Sequence, residues 1–352
     1  WPADDSIRTL KIAGMQTCPR PMCTGAAQRR VLGKPFCVTE YGCPSPNTYG
    51  SEGHLLRAAY ASLQDWDYIS ASRYAHGTNW NERCFRNFFA IGQHPTKMAT
   101  LVPAAALFLR GDVSPAQQLV FADMDRRQEV DLLRSSHAWQ LVSAGEVGVP
   151  REVALVHRVA LCTEGRRSQV RSQRPAPAPI SGDRFVSDTG ELTWDVSQKE
   201  RGVVTVDTPL SKAVIGFGGG KRFELGGVVV EPGPTRQAGW SVITATAMEG
   251  DFSKPPCRVL VTATGEAENT NMGWKNAERS TVGRDWGEAP TRVEGIAARV
   301  ALPFAAEAVQ AWALDERGQR GMAVAVTRNA AGRAVVALGP AYRTIWYEIT
   351  AK

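Results

Sequence analysis

The sequence predicts an α/β segment followed by an all-β region, with a connecting segment between them. Residues 33–112 show a strand, a helix and a strand in close succession, which is typical of a parallel sheet. Residues 181–352 contain short β-rich runs separated by Gly, Pro and Asp turns, which predicts a β-sandwich. Residues 166–180 are rich in Ser, Arg and Pro, as expected of an exposed linker.

The α/β segment is organised around one strand that ends at a carboxylate. The apolar run 36–38 leads into Glu40, and a turn rich in Gly and Pro follows. Apolar residues at helical spacing predict a helix over 51–64, and a second strand is predicted over 67–75, ending at His76. Functional residues of parallel sheets gather at the carboxyl ends of the strands, so Glu40 and His76 mark a candidate site.

We predict three regions along the chain. They are a catalytic α/β region at 1–112, a connecting region with a linker at 113–180, and a β-sandwich at 181–352. A last helix of the first region is predicted over 96–109. In the connecting region the pattern predicts a strand, a helix and a strand, at 117–122, 127–144 and 152–162.

The composition is that of a globular protein. Apolar residues make up 43% and charged residues 22%, and no run approaches the ~20 continuous apolar residues of a membrane span, so no membrane association is expected. The net charge is +6, much of it from arginines at 166–174, but no aromatic interleaving accompanies them and no nucleic-acid partner is expected. The seven cysteines lack C-x-x-C spacing, which argues against zinc. Cys18 with Cys23, or Cys37 with Cys43, are candidate disulfides, and free buried thiols are the alternative.

Three stretches resemble the clan A glycoside hydrolases, the (β/α)8-barrel retaining enzymes. Residues 33–41, Gly-Lys-Pro-Phe-Cys-Val-Thr-Glu-Tyr, resemble the seventh strand of that clan. Residues 64–68, Gln-Asp-Trp-Asp-Tyr, and 73–76, Arg-Tyr-Ala-His, resemble the eighth. The resemblance covers roughly residues 30–112. It implies a partial TIM barrel made of the last two βα units, an enzyme acting on β-linked oligosaccharides or polysaccharides, and Glu40 as the nucleophile.

The resemblance places only one of the two carboxyl groups that a retaining glycosidase needs ~5–5.5 Å apart. In the clan, the general acid/base is a Glu that follows an Asn at the end of strand four. The residues before Glu40 contain no Glu, and the pair Asn81 and Glu82 falls after the second strand. Three explanations stay open: a fragment of a longer hydrolase, a homo-oligomer that covers the open sheet edge, or a different activity.

Four residues near Glu40 are predicted to bind substrate. They are Tyr41, Tyr74, His76 and Trp80. Aromatic faces stack on the apolar faces of sugar rings, and imidazole nitrogens hydrogen-bond hydroxyl groups. The alternative for Tyr74 and His76 is a packed aromatic cluster with a core histidine, whereas Trp80 stands between two asparagines in a predicted loop.

Other motifs give no support to further chemistry. The glycine-rich run 216–221 departs from the phosphate-loop pattern at both ends, so we expect a hairpin turn there. No EF-hand spacing and no G-x-S-x-G motif occur, and we expect no metal and no cofactor. The tryptophans of the β-rich region are expected in the core, and an exposed one would suggest an accessory carbohydrate-binding module.

The sequence thus favours two functions. The first is a retaining glycoside hydrolase, or a C-terminal fragment of one, with an oligosaccharide or polysaccharide substrate and Glu40 as nucleophile. The second is a non-catalytic carbohydrate-binding or interaction protein. No secretory signal is visible at the N-terminus, and we expect a secreted or periplasmic protein rather than a cytoplasmic one.

Overall fold

The computed structural model describes residues 22–135, 142–163, 180, 182–277, 279 and 281–352. The chain is predominantly β, with 36% strand against 18% helix. Within the described ranges, no helix is both long enough and apolar enough to cross a membrane.

The first part of the described chain alternates short helices and strands. These elements are α1 (Met22–Ala27), β1 (Cys37–Tyr41), α2 (Glu52–Leu63), β2 (Tyr68–Ala71), α3 (Pro95–Phe108), β3 (Leu119–Asp123), α4 (Arg126–Ser135) and β4 (Arg158–Cys162). The predicted strand, helix and strand around Glu40 are confirmed as β1, α2 and β2, although β2 is shorter than expected. β1 and β2 pair in parallel, with Val38 beside Ile69.

The predicted partial TIM barrel is wrong. The parallel strands form two separate two-stranded sheets, β1–β2 and β3–β4, and the large sheets in the described ranges are antiparallel. One isolated bridge joins Val31 to Leu161 of β4. Barrel closure requires successive parallel strands that each pair on both sides. A local strand–helix–strand pattern specifies one such pair but not the neighbours that would extend it.

Residues 113–163 form packed structure. The predicted strands appear as β3 and β4, and the predicted helix begins as α4, while its second half falls outside the described residues. Val120 and Leu161 share a hydrophobic cluster with Trp66, which follows α2. This region therefore packs directly on the α/β segment. Nearly all of the predicted linker at 166–180 lies outside the described residues.

The C-terminal half consists of strands. They are β5 (Arg184–Val186), β6 (Leu192–Asp195), β7 (Val203–Asp207), β8 (Ser211–Phe217), β9 (Phe223–Leu225), β10 (Val228–Pro232), β11 (Trp240–Glu249), β12 (Cys257–Thr264), β13 (Ala267–Thr270), β14 (Glu288–Val293), β15 (Ala298–Ala305), β16 (Val309–Leu314), β17 (Arg320–Val324), β18 (Val326–Arg328), β19 (Arg333–Leu338) and β20 (Trp346–Ala351). A nine-stranded sheet has the order β17-β16-β20-β12-β11-β8-β7-β6-β5, and a five-stranded sheet has the order β18-β19-β15-β10-β9. β13 and β14 form a separate hairpin.

The two large sheets share one hydrophobic core. Val214 and Val242 of the nine-stranded sheet belong to the same cluster as Val230 and Val300 of the five-stranded sheet. Every residue of β8 is buried, because α3 contacts the same sheet and leaves no face of this central strand open to water.

The glycine-rich run at 216–221 does not form the predicted hairpin turn. β8 belongs to the nine-stranded sheet and β9 to the five-stranded sheet, so this turn carries the chain from one sheet to the other. A Cβ at Gly219 would lie 2.5 Å from the Cα of Gly239, so a side chain at this position would collide with backbone. Glycine is therefore needed here for close packing, not for binding phosphate.

Helix α2 attaches the α/β segment to the nine-stranded sheet and is buried along its whole length. The indole Nε1 of Trp240 donates a hydrogen bond of 2.9 Å to the Glu52 carboxylate at the start of α2. Tyr49 meets the Trp240 ring edge-on at 5.0 Å, and Tyr60 packs against Trp194 at 5.2 Å. These contacts fix the α/β segment, and with it the end of β1, against the sheets.

Candidate functional site

β1 ends in an irregularity beside Glu40. Three steps along β1, from Val38 to Tyr41, match two steps along β2, from Ile69 to Ala71. An extra residue in one strand is a β-bulge, a feature that re-aims side chains and is frequent next to functional sites. Glu40 is exposed, and its carboxylate makes no hydrogen bond or ion pair with the described residues. The predicted nucleophile thus points to solvent at a strand end.

Tyr41 does not lie where a substrate contact was predicted. Its side chain is 3% exposed, and its hydroxyl donates a 2.5 Å hydrogen bond to the carbonyl of Gly53 in α2. The Arg57 guanidinium lies 4.5 Å from the Tyr41 ring centroid. Burial raises the pKa of Tyr41 well above its usual range. Tyr41 therefore anchors the end of β1 to the helix.

Tyr74 and Trp80 form an exposed aromatic pair, which we call the aromatic platform. Their ring centroids are 5.5 Å apart and their planes differ by 33°. Tyr74 is 50% exposed and Trp80 is 58% exposed, so both rings offer a face to solvent. A Cβ at Gly92 would lie 3.2 Å from two ring atoms of Tyr74, so the absence of a side chain there leaves room for the ring.

The loop that carries Trp80 is held by side-chain hydrogen bonds. Asn79 accepts a hydrogen bond from the backbone N–H of Asn81, which closes a tight turn around Trp80. Gln93 donates to the carbonyl of Trp80 and accepts from the backbone N–H of Arg83 at 3.1 Å. The Gln93 side-chain amide therefore restrains the loop through both its nitrogen and its oxygen. Because the loop is already restrained, Trp80 loses less conformational entropy when a ligand binds.

His76 is exposed and lies between Tyr74 and Trp80 in the sequence. Arg73 donates a 2.8 Å hydrogen bond to its Nδ1, so the proton of the neutral ring resides on Nε2. The peptide bond between Ser72 and Arg73 is cis. The alternative of a core histidine does not fit His76, and the buried histidines of this region are His54 and His94.

The buried histidines pack behind the site and are neutral. Burial, with a further contribution from the nearby Lys97, lowers the pKa of His54 to about 4. The same two causes hold the pKa of His94 well below its usual range. His94 stacks on Phe85 with a centroid distance of 4.5 Å. Both rings are therefore part of the packing and take no charge at neutral pH.

Lys97 supports the loop that follows β1, and sequence reasoning missed it. Its side chain is fully buried, and its Nζ donates to the carbonyl of Cys43 at 2.6 Å and to Ser45 Oγ at 2.7 Å. Burial lowers the pKa of Lys97 to about 8. A lysine within the mostly apolar helix α3 was the available signal, as was Arg57 within α2. Lys97 thus holds the loop that follows β1, while Arg57 packs on the ring of Tyr41 at the end of the strand.

Chemically, the segment after β2 offers two aromatic faces and an imidazole, and the exposed carboxylate of Glu40 lies near the end of the paired strand β1. Glu82 is half-buried on the same loop as Trp80. In the described part of the chain, no group of three or more His, Cys, Asp and Glu side chains could hold a metal ion. The arrangement suits the binding of a neutral ligand with apolar faces and hydroxyl edges.

A scan against models of known protein families finds no match. A search of the curated proteins finds no match either. The resemblance to glycoside hydrolases stays a prediction from sequence motifs.

Proposed function

We propose that this chain acts on carbohydrate, as the substrate-contacting part of a retaining glycoside hydrolase for β-linked oligosaccharides or polysaccharides. The observation that carries the proposal is the aromatic platform, which lies on the loop that follows β2, while Glu40 is the next-to-last residue of the paired strand β1. Glu40 is the nucleophile, Tyr74 and Trp80 bind the sugar rings, and His76 hydrogen-bonds a hydroxyl.

The platform matches the surface of a sugar. A pyranose has an apolar face of C–H groups and a rim of hydroxyls, so an exposed aromatic plane removes the apolar face from water while the hydroxyls keep their hydrogen bonds. Large apolar side chains exposed together mark interaction sites more often than chance surface positions. Trp80 is also held in place by the Gln93 hydrogen bonds, so the ring is ready for a ligand.

Glu40 supplies half of a retaining mechanism. A carboxylate that attacks the anomeric carbon forms a glycosyl ester, and a second carboxyl group protonates the departing oxygen. The exposure of Glu40 at the bulge leaves one face open to a substrate. No Glu precedes Glu40 in the sequence, so this proposal assigns the second carboxyl group to another copy of the chain or to polypeptide joined to it.

One observation favours non-catalytic carbohydrate binding as a second candidate. Among the described residues nothing hydrogen-bonds the Glu40 carboxylate, whereas catalytic groups are normally held by supporting hydrogen bonds. The platform would serve this function equally well. The two candidates share the ligand and differ in whether Glu40 forms a bond to it.

Replacing Trp80 with alanine is expected to weaken carbohydrate binding about tenfold or more, because an exposed, pre-positioned tryptophan is the largest apolar contact of the site. The measurement is isothermal titration with β-1,4-glucan, β-1,3-glucan and β-1,4-xylan hexasaccharides. Met322→Ala is the control, since Met322 is 60% exposed and lies on β17. Equal Kd values for wild type and Trp80→Ala would remove the platform from the binding site.

A further inference from the structure

A polar cavity of about 390 Å³ opens beside the β13–β14 hairpin. This volume lies within the ~300–1,000 Å³ of small-ligand pockets. Its walls include three carboxylates and two arginines, together with asparagines and a methionine. Nothing in the proposed reaction uses these groups. The carboxylates and arginines of the walls are Glu266, Glu268, Glu294, Arg236 and Arg292.

One side of the cavity is a fixed hydrogen-bonded scaffold. Glu266 is 3% exposed, receives a 2.7 Å hydrogen bond from Arg279, and also accepts from the amide of Gln237. Glu268 forms an ion pair with the same Arg279 and accepts a 2.5 Å hydrogen bond from the indole of Trp274. Glu266 is buried, Glu268 and Arg279 are partly exposed, and these hydrogen bonds restrain the wall of the cavity without a ligand.

Other groups of the cavity retain hydrogen-bonding capacity. One oxygen of Glu294 accepts from the backbone N–H of Arg236 at 2.6 Å. The other, Oε2, is buried and has no hydrogen-bond partner among the described residues. The side chains of Arg236 and Arg292 are exposed on the rim. Buried polar atoms normally have a partner, so Glu294 Oε2 indicates a group that is supplied by a ligand or by solvent.

The chemistry of the walls selects a neutral, polyhydroxylated ligand. The three carboxylates are balanced by Arg236, Arg292 and the neighbouring Arg279, so the cavity has no excess charge that would attract an ion. No metal-binding group of side chains occurs in the described ranges. Planar guanidinium and carboxylate groups make paired hydrogen bonds, and adjacent sugar hydroxyls present donors and acceptors at a matching spacing.

The cavity is physically joined to the loop that carries Trp80. Asn269, one of its lining residues, donates to the carbonyl of Phe85 at 2.6 Å and accepts from the Phe85 N–H at 3.3 Å. The N–H of Thr291 in β14 donates to the carbonyl of Arg83 at 2.9 Å. Because the hairpin is hydrogen-bonded to this loop, we expect the distance between the cavity and the platform to stay constant.

We propose that the cavity beside the β13–β14 hairpin is a second carbohydrate subsite, which binds a sugar unit of the same polysaccharide that contacts the aromatic platform. The inference rests on the proposed function for its substrate class. A second subsite on a fixed frame raises the affinity for long chains over short ones, because the second contact forms intramolecularly.

The test is calorimetric titration of wild type, Arg292→Ala, Trp80→Ala and the double variant with the three hexasaccharides and the matching disaccharides. Arg333→Ala, an exposed arginine of β19, is the control for the loss of one positive charge. We expect Arg292→Ala to weaken hexasaccharide binding about tenfold, as expected for the loss of a bidentate contact. Arg333→Ala should match wild type.

The outcomes separate the two proposals. Weaker hexasaccharide binding in both Arg292→Ala and Trp80→Ala supports the subsite and the platform together. A loss in Trp80→Ala alone overturns the subsite and leaves the proposed function standing. A loss in Arg292→Ala alone supports the cavity as a sugar site and overturns the platform. Absence of binding to every glycan overturns both.

Discussion

Glu40→Gln is expected to lower the release of dinitrophenolate from activated aryl β-glycosides by about a thousandfold or more. Dinitrophenolate is a weak base that departs without a proton, so this substrate needs the nucleophile and not the general acid. The amide keeps the size of the side chain and removes the attacking oxygen anion. The measurement is the absorbance of dinitrophenolate with β-glucoside, β-galactoside, β-mannoside and β-xyloside substrates.

Glu82→Gln is the matched control for this experiment. Glu82 is half-buried on the loop that carries Trp80, and its loss changes the charge near the site without touching the nucleophile. We expect its rate to stay within about threefold of wild type. If Glu40→Gln releases dinitrophenolate as fast as wild type, Glu40 takes no part in bond formation. Release at the uncatalysed rate by every protein would favour the binding-only function.

Buried Lys97 is expected to make the free energy of unfolding increase by about 3 kcal/mol between pH 8 and 10.5. The folded-state pKa of about 8 lies below the ordinary value of 10.5, so in this window the unfolded chain binds more protons than the folded chain. Stability therefore rises with pH through the window, and the cost of burying the charge is constant below pH 8. Lys97→Met should abolish this rise.

The measurement is urea unfolding of wild type and Lys97→Met at pH 7, 8, 9 and 10, with exposed Lys199→Met as control. The thiol of Cys43 acts in the opposite direction above pH 9, since burial raises its pKa to about 11. The Lys97 charge also lowers the Cys43 pKa, so the thiol does not cancel in the difference, and the rise between pH 8 and 9 is the part that reports Lys97. If the free energy of unfolding changes with pH by the same amount in wild type and Lys97→Met between pH 7 and 10, Lys97 keeps its proton in the folded state.

Local elements around Glu40 could be predicted because they depend on neighbouring residues. The apolar run before Glu40 and the helical spacing in α2 specify β1 and the helix without reference to the rest of the chain. The parallel pairing followed from the short strand–helix–strand connection. The same reasoning located the loop of Trp80, and the structure adds that Asn79 closes a turn there by accepting from the N–H of Asn81.

The wider architecture could not be predicted, because it depends on long-range contacts. No residue pattern near Phe217 indicates that the next strand, β9, belongs to the five-stranded sheet and not to the nine-stranded sheet of β8. The burial of Glu52 depends on Trp240, which is far along the sequence and supplies its hydrogen bond. The resemblance suggested a barrel, but two parallel strands do not determine which strands extend them.

The error at Tyr41 has a specific physical cause. Successive residues of a strand point to opposite faces, so Glu40 and Tyr41 cannot both face a ligand unless the strand is irregular. The bulge lies between Val38 and Tyr41, and in this stretch Glu40 is exposed while Tyr41 is buried. With Glu40 facing outward, strand alternation alone directs Tyr41 inward, and the substrate contact predicted for Tyr41 disregarded this rule.

As the proposed nucleophile, Glu40 forms a covalent bond to a sugar. Mass spectrometry of the intact chain after incubation with dinitrophenyl 2-deoxy-2-fluoro-β-glycosides tests it directly, because the fluorine slows hydrolysis of the glycosyl ester and the leaving group needs no acid. We predict the addition of one fluoroglycosyl group, located on the peptide that contains Glu40 and absent from Glu40→Gln. Unmodified wild-type protein with all four sugars, or a label on another residue, would show that Glu40 is not the nucleophile.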